Sequence, residues 1–374
     1  MNPFPSLRAA LALALTIPVF SSLGLAPLAT PAAAQNVGEK PASRDLPFVL
    51  KPIAQLENPW AIAPLPDSSV LVTGKAGKMW HVTGGGAQAI SGLPKVQYSG
   101  QNGLLDVAVP PDFPDTREVY ITYVAPDNAL HLARGVLDGS QLTQLKTIWQ
   151  QTPGGRGQPG GIVAFGPDGM LYLTVGDRMQ PDTAQDPDNP RGKILRLTRD
   201  GQPAPGNPHE GAGGVRAETW TEGHRNQYGL AFTPDGKLWE HEMGPRGGDE
   251  LNLIEKGKNY GWNEVSNGRH YSGQPIPDHD TRPDFAAPKL WWTPVIAPAG
   301  LAVYEGRDFP DWQGDMLIGG LAGNGLALIA GDGSDQIARW DLRMRVRDVA
   351  VGPKGEVWII EDAGEGALYR LVPK

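Results

Sequence analysis

No cysteine occurs in the 374 residues, so no disulfide holds the chain together. The seven histidines show no H-x-x-x-H or similar spacing, which speaks against a zinc site. Positive charge is in short supply: the formal net charge is -8, a poor match for a polyanion, and no nucleic-acid partner is expected. Beyond the first few dozen residues no apolar run reaches the roughly 18 needed to span a bilayer. No long window carries a helical hydrophobic period. What remains is turn-forming and apolar. There are 49 Gly and 36 Pro, yet 40% of residues are hydrophobic and 11 are Trp. That balance describes many turns between short strands around a sizeable core, and all-β folds of this length often form one domain.

Residues 1–34 have the layout of a secretory signal peptide. Arg8 supplies the positive start, residues 9–25 are mostly apolar, and Ala32-Ala33-Ala34 offers a small-residue cleavage site before Gln35. Pro18, Ser21 and Ser22 break the apolar stretch, which disfavours a membrane anchor. The expectation is a leader over 1–34 and a mature domain over 35–374. That domain is expected to be bacterial, periplasmic or secreted, with no transmembrane anchor after leader removal.

A unit of glycine, alternating apolar residues, a Pro/Asp/Gly turn and a second apolar segment recurs six times. Copies begin at Pro59, Gly103, Gly160, Gly229, Gly300 and Val346. Each reads as a β-hairpin. About 330 residues shared among six units leave roughly 55 per unit, enough for a four-stranded blade. The predicted fold is all-β, a six-bladed β-propeller with four-stranded antiparallel blades; a ring of seven or eight blades fits the count less well. Closure would bring loops from distant parts of the chain to one axis. Polar, Pro-rich stretches over 178–192, 201–219 and 267–288 exceed what a blade needs and are candidate functional loops.

The densest block covers residues 222–262 and contains Arg225-Asn226, Gly244-Pro245, Gly247-Gly248-Asp249-Glu250 and Asn259-Tyr260-Gly261-Trp262. Its glycines allow sharp turns that face carbonyls toward a ligand. Arg and Asn can hold an anion and a carbonyl, and Glu250 offers a hard oxygen. Further blocks are NPWAIAPLPD near Asn58, SGQNGLLDVAVPPDF near Gln101, GGIVAFGPDGMLYLTVGDR near Gly160, WWTPVIAPAGLAVYEG near Trp291 and RVRDVAVGPKGEVW near Arg345. In this order they resemble the soluble quinoprotein sugar dehydrogenases, the glucose/sorbosone dehydrogenase-like family that uses pyrroloquinoline quinone (PQQ) and calcium.

The resemblance implies oxidation of an aldose sugar, or a related alcohol or aldehyde, by hydride transfer to the quinone. Electrons would then pass to an unknown acceptor. It implies PQQ contacts from Gln101, Arg225, Asn226, Tyr271, Arg345 and Arg347. It implies calcium ligation by Gly244 and Pro245 at the cofactor, and by Glu250 and Tyr260 at a structural ion. Oxygen ligands suit calcium. Arg345 and Arg347 alternate along an expected strand that extends back through Arg343, so both are expected on one face.

Two positions depart from the family pattern. The family's general-base histidine is Gln158 here, and an amide does not accept a proton near neutral pH. Ala322 stands where many relatives carry a lysine for a PQQ carboxylate. Three outcomes stay open. Another base serves, with His270 beside Tyr271 favoured over His131, His224 and His279. Alternatively the protein is a non-catalytic quinone- or carbohydrate-binding propeller, or the pocket has drifted to another ligand. Calcium-dependent lactone hydrolysis on the same fold has no acidic and amide cluster of its own in the sequence.

Overall fold

The Pro-Asp-Gly turns close hairpins as the repeats predict. At Pro167-Asp168-Gly169, the Gly169 N–H donates to the Gly166 carbonyl at 2.9 Å, joining strand Gly160–Phe165 to Leu171–Val175. The structure, a computed structural model, describes Met1 and residues 34–374. The expected leader over 1–34 therefore lies almost wholly outside the described residues. From residue 34 onward the described chain belongs to one unit, Ala33–Lys374.

Six main sheets form a six-bladed β-propeller. The innermost strands of blades 1 to 6 are Pro59–Pro64, Leu104–Ala108, Gly160–Phe165, Gln227–Phe232, Pro298–Val303 and Val346–Val351. Each packs beside the next, and the sixth packs beside the first, which closes the ring. The apolar alternation of these strands buries both faces against neighbouring blades. A large cluster including Leu71, Leu105, Ile121, Leu132, Leu173 and Leu195 joins blades 1 to 3.

Two features go beyond the expected four-stranded blades. Blade 6 takes its outermost strand from the other end of the chain: Phe48–Glu57 pairs with Glu365–Pro373 in antiparallel register, Phe48 opposite Pro373. Phe48 anchors this closure in an aromatic cluster, 6.0 Å from Trp312 and 5.3 Å from Trp340 in edge-to-face contacts. Blade 4 gains a fifth strand, Gln35–Asn36, parallel to Leu290–Trp292.

Polar side chains stitch the inner strands to the adjacent blade. Thr73 donates to the Leu105 carbonyl (2.6 Å), Thr122 to Gly161 (2.5 Å) and Thr174 to Gln227 (3.4 Å). In blade 4 the same task falls to His241, whose Nε2 lies 2.9 Å from the Gly300 carbonyl. The Val163 N–H donates to Asp106, and the Ile62 N–H to Asp348, both at 2.7 Å.

In every blade the inner strand carries a register shift near its start: at 59–61, 104–107, 160–163, 227–229, 299–301 and 346–348. A β-bulge re-aims the side chain it carries. Three of these bulges hold Trp60, Tyr228 and Arg347, which all line a central cavity of about 300 Å³ bounded by inner strands of all six blades.

Candidate active site at the mouth of the ring

Antiparallel pairing places the start of each inner strand beside the end of the second strand of its blade: Pro59 with Gly74, Gly160 with Val175, Gln227 with Glu242, Pro298 with Gly320, and Val346 with Glu361. Many of the predicted site residues fall on these two sets of junctions at one end of the ring. Gln101, Gln158, Arg225-Asn226 and Arg345 precede inner strands. Gly244 and Ala322 follow second strands, and so do three residues that sequence reasoning did not single out: Lys75, Asp177 and Asp362.

The first group is one hydrogen-bonded chain. The Gln158 backbone N–H donates to Gln101 Oε1 at 2.5 Å. With the Gln158 amide oriented to satisfy both neighbours, its nitrogen donates to Asp177 and its oxygen accepts from Arg225 Nη2 at 2.7 Å. Arg225 Nη2 also lies 3.3 Å from the Tyr271 hydroxyl, and the guanidinium sits 5.3 Å from the Trp262 ring centroid. Asn226 is buried and accepts from the Gly160 N–H at 3.4 Å.

The local backbone is built for this approach. Gln158 sits in left-handed conformation at φ 40°, uncommon for a non-glycine residue. A Cβ on Gly176 would lie 2.2 Å from the Gln158 carbonyl, so only glycine lets the two segments meet. Behind them, Asp177 accepts from the Met179 N–H (2.8 Å) and Trp262 Nε1 (2.9 Å). Burial pushes its carboxyl up to about 6 against the opposing pull of Arg225.

The second group centres on Asp362. Arg347 donates to Asp362 Oδ1 at 2.7 Å, and Arg345 Nε donates to Oδ2 at 2.8 Å. Arg347 also stacks 4.2 Å from the Trp60 centroid. The expected strand alternation through Arg343 does not form. Strand pairing starts at Val346, Arg343 occupies a turn at φ 56°, Arg345 lies just before the strand, and Arg347 rides the bulge. The two arginines converge on one carboxylate through a turn and a bulge instead. Tyr228 is buried between the two groups with no hydrogen-bond partner for its hydroxyl among the described residues; burial raises its phenol to about 12, while Arg347, Asn226 and Arg178 pull it down.

His270 is exposed beside Tyr271, and its imidazole makes no hydrogen bond to the other site residues among the described residues. The loop over 178–192 packs into the site region, Gln185 Nε2 donating to the Trp262 carbonyl at 2.6 Å. The stretch over 201–219 instead serves blade 3, where Asn207 accepts from Arg196 and donates to Ala217.

Three of the four expected calcium ligands, Gly244, Glu250 and Tyr260, line one small cavity of about 10 Å³, together with Glu242 and Ser266. That is about the room for a single water or ion. Pro245 faces a separate recess with Arg246 and Asn267. Glu240 and Glu242 cluster with His224 behind this cavity, and Asn252 donates to Glu240 at 3.1 Å. Glu240 Oε1 and Asn252 Oδ1 are buried without a partner. Burial, then the Glu242 charge, holds the Glu240 carboxyl well above the usual carboxylate range. Glu242, Glu250 and main-chain carbonyls give the small cavity hard oxygen donors of the kind calcium takes, while Arg225 also lines it and donates to the Gly244 carbonyl at 3.3 Å, Glu242 pairs with His224 and Glu250 with His279.

A six-bladed ring with a cationic, hydrogen-bonded mouth is the architecture this chain shares with solved quinoprotein sugar dehydrogenases. The family profile described as Glucose / Sorbosone dehydrogenase matches residues 56–370, and the chain belongs to that family. It is 36% identical over 340 residues to the aldose sugar dehydrogenase YliI of Escherichia coli, covering 86% of this chain and 91% of that protein. Identity to quinoprotein glucose dehydrogenase B of Acinetobacter calcoaceticus is 31% over 301 residues, 71% of this chain and 62% of that protein. The PQQ-bound aldose sugar dehydrogenase of Streptomyces coelicolor superposes with a TM-score of 0.73 at 30% identity, over 89% of this chain and 99% of that one.

Proposed function

We propose that this chain is a PQQ- and calcium-dependent dehydrogenase of aldose sugars or related alcohols and aldehydes, passing electrons to a separate acceptor. The observation that carries the reading is the convergence at one mouth of Gln101, Gln158, Arg225, Asn226 and Tyr271 with Arg345 and Arg347. PQQ, when bound, supplies the two-electron acceptor for the hydride. Arg345 and Arg347 would bind its carboxylates as charge-assisted donors, in partial exchange for Asp362. Arg225 and Asn226 would meet its quinone side, and the exposed Tyr271 ring would cover it from solvent. Gly244 and Pro245 would hold calcium at the cofactor, and Glu250 and Tyr260, with Glu242 beside them, a structural ion. The leader over 1–34 would direct the protein out of the bacterial cytoplasm.

Hydride removal also frees a hydroxyl proton. Gln158 cannot take it, and Asp177, the nearest carboxylate, already accepts from Gln158, Met179 and Trp262. Turnover is therefore slow for the class. That same residue favours a second reading, a quinone- or carbohydrate-binding propeller without chemistry. Titration of the apoprotein with PQQ, followed by absorbance with and without calcium, tests the site; dye reduction across a sugar panel then tests the chemistry. Saturable quinone binding with slow reduction supports the enzyme. Binding with no reduction of any substrate leaves the binding protein, and no quinone binding overturns both PQQ readings.

A further inference from the structure

Lys75 is the first residue after strand Val70–Gly74 of blade 1; in blade 5 Leu321 holds that place after Met316–Gly320, with Ala322 one residue further along the same turn. Blade 6, which carries Arg345, Arg347 and Asp362, lies between those two blades. The arginine pair is thus flanked on one side by a methyl group and on the other by an ammonium.

The Lys75 main chain is held in place, its N–H donating to the Asn58 carbonyl and its carbonyl accepting from the Leu104 N–H, but its ammonium meets only aromatic faces. Its Nζ makes no hydrogen bond and no ion pair among the described residues. It lies 5.4 Å from the Trp60 centroid and 5.9 Å from the Tyr98 centroid. Arg347 stacks on the same Trp60 indole. Burial, then the Arg347 charge, lowers the ammonium's pKa, with Asp362 opposing. Two cations against one ring repel each other, while the one carboxylate between the blades is already shared by two arginines. The cluster of Lys75, Arg345, Arg347 and Asp362 carries a surplus of positive charge at the mouth, which an anion would relieve.

We propose that Lys75 is the third cation of the quinone site, and that its ammonium binds a carboxylate of the polycarboxylated ring beside Arg347. The proposal rests on the PQQ reading above. It means that the cation absent at Ala322 would be supplied from the opposite flank of blade 6, by a residue that shares the Trp60 ring with Arg347. Trp60 and Tyr98 then form the apolar walls that keep the ammonium poorly hydrated and available.

The test measures PQQ affinity of the apoprotein in calcium by absorbance titration at several salt concentrations. Lys75→Met should bind about 10-fold more weakly with a shallower salt dependence, as expected for one half-exposed charge-assisted contact. Lys75→Arg should remain within about 3-fold of the unsubstituted protein. Lys51→Met removes the same charge on the exposed outer strand of blade 6 and should change nothing. Bound quinone should also protect Lys75 from acetic anhydride labelling, read by peptide mass spectrometry. Equal affinities for the unsubstituted protein and Lys75→Met, or labelling unaffected by quinone, overturn the proposal while leaving the PQQ reading intact. If the unsubstituted protein binds no quinone, the PQQ reading itself fails and takes this proposal with it.

Discussion

Gln158→His is the most informative single substitution. The backbone there is already left-handed, and histidine enters that region more readily than most residues, so little strain is added. The Gly176 contact is made with the residue-158 carbonyl and does not depend on the side chain. An imidazole nitrogen placed where the Gln158 amide nitrogen donates would meet Asp177, whose carboxylate would fix its tautomer and favour its protonated form. Arg225, now 2.7 Å from the amide oxygen, would oppose that charge. The two neighbours offset each other and leave a base titrating near its ordinary pKa of about 6.5. General-base catalysis is worth about 10²–10⁴-fold. Because Asp177 is already desolvated and held by Trp262, the gain should be at least the lower figure, about 100-fold. The assay is single-turnover dye reduction by PQQ- and calcium-loaded protein from pH 5 to 9. The variant should show a rate that rises through pH 6–7, and Asp177→Asn in the same background should lose most of the gain. Full quinone binding with no rate gain in the variant would refute the reasoning.

Calcium chelation should lower the melting temperature by about 4 °C, read by calorimetry, since a bound ion at 100-fold excess over its Kd is worth about 2.7 kcal/mol and a domain of this size has an unfolding entropy of about 0.7 kcal/mol per degree; Glu242→Gln should shrink that shift. Burial pushes Asp106 up to about 7, above its unfolded value near 3.8. Its contribution to stability is full below about pH 3.8 and is lost as pH rises through 7, on the order of 4 kcal/mol in all. Asp106→Asn should therefore flatten the fall in unfolding free energy between pH 4.5 and 7, measured by urea titration. His241, pushed down to about 4 mainly by burial, acts in the other direction: its contribution is present above about pH 6.5 and lost as pH falls through 4. Phe48→Ala should lose about 3–5 kcal/mol by the same measurement, as for other large-to-small aromatic core substitutions.

The six repeats announced the ring because each hairpin carries its own turn chemistry and alternation, which are local signals. The outer strand of blade 6 was not legible, since Phe48–Glu57 lies next to blade 1 in sequence but pairs with Glu365–Pro373. Arg225, Gln158 and Gln101 could be placed at one site because motifs mark them. Asp177, Asp362 and Lys75 could not, although a signal existed: each follows the second strand of a repeat, where the ring mouth lies. Arg345 and Arg347 were rightly paired for a wrong reason. Simple alternation cannot foresee a bulge, and the bulge is what turns Arg347 toward Trp60. The buried carboxylates Glu240 and Glu242 read in sequence as ordinary strand residues, because burial of charge is a property of the assembled blade.

The joining of both chain ends in one blade has a bearing on how the molecule comes into being. Five blades can be laid down in order as the chain emerges, but the sixth has a seam that only the final residues can sew. Until Pro373 reaches Phe48 the barrel stays split beside Arg347, and the mouth lacks half its guanidinium edge. Removing either residues 48–57 or residues 365–373 should unpick that same seam, so cofactor capture is tied to both strands.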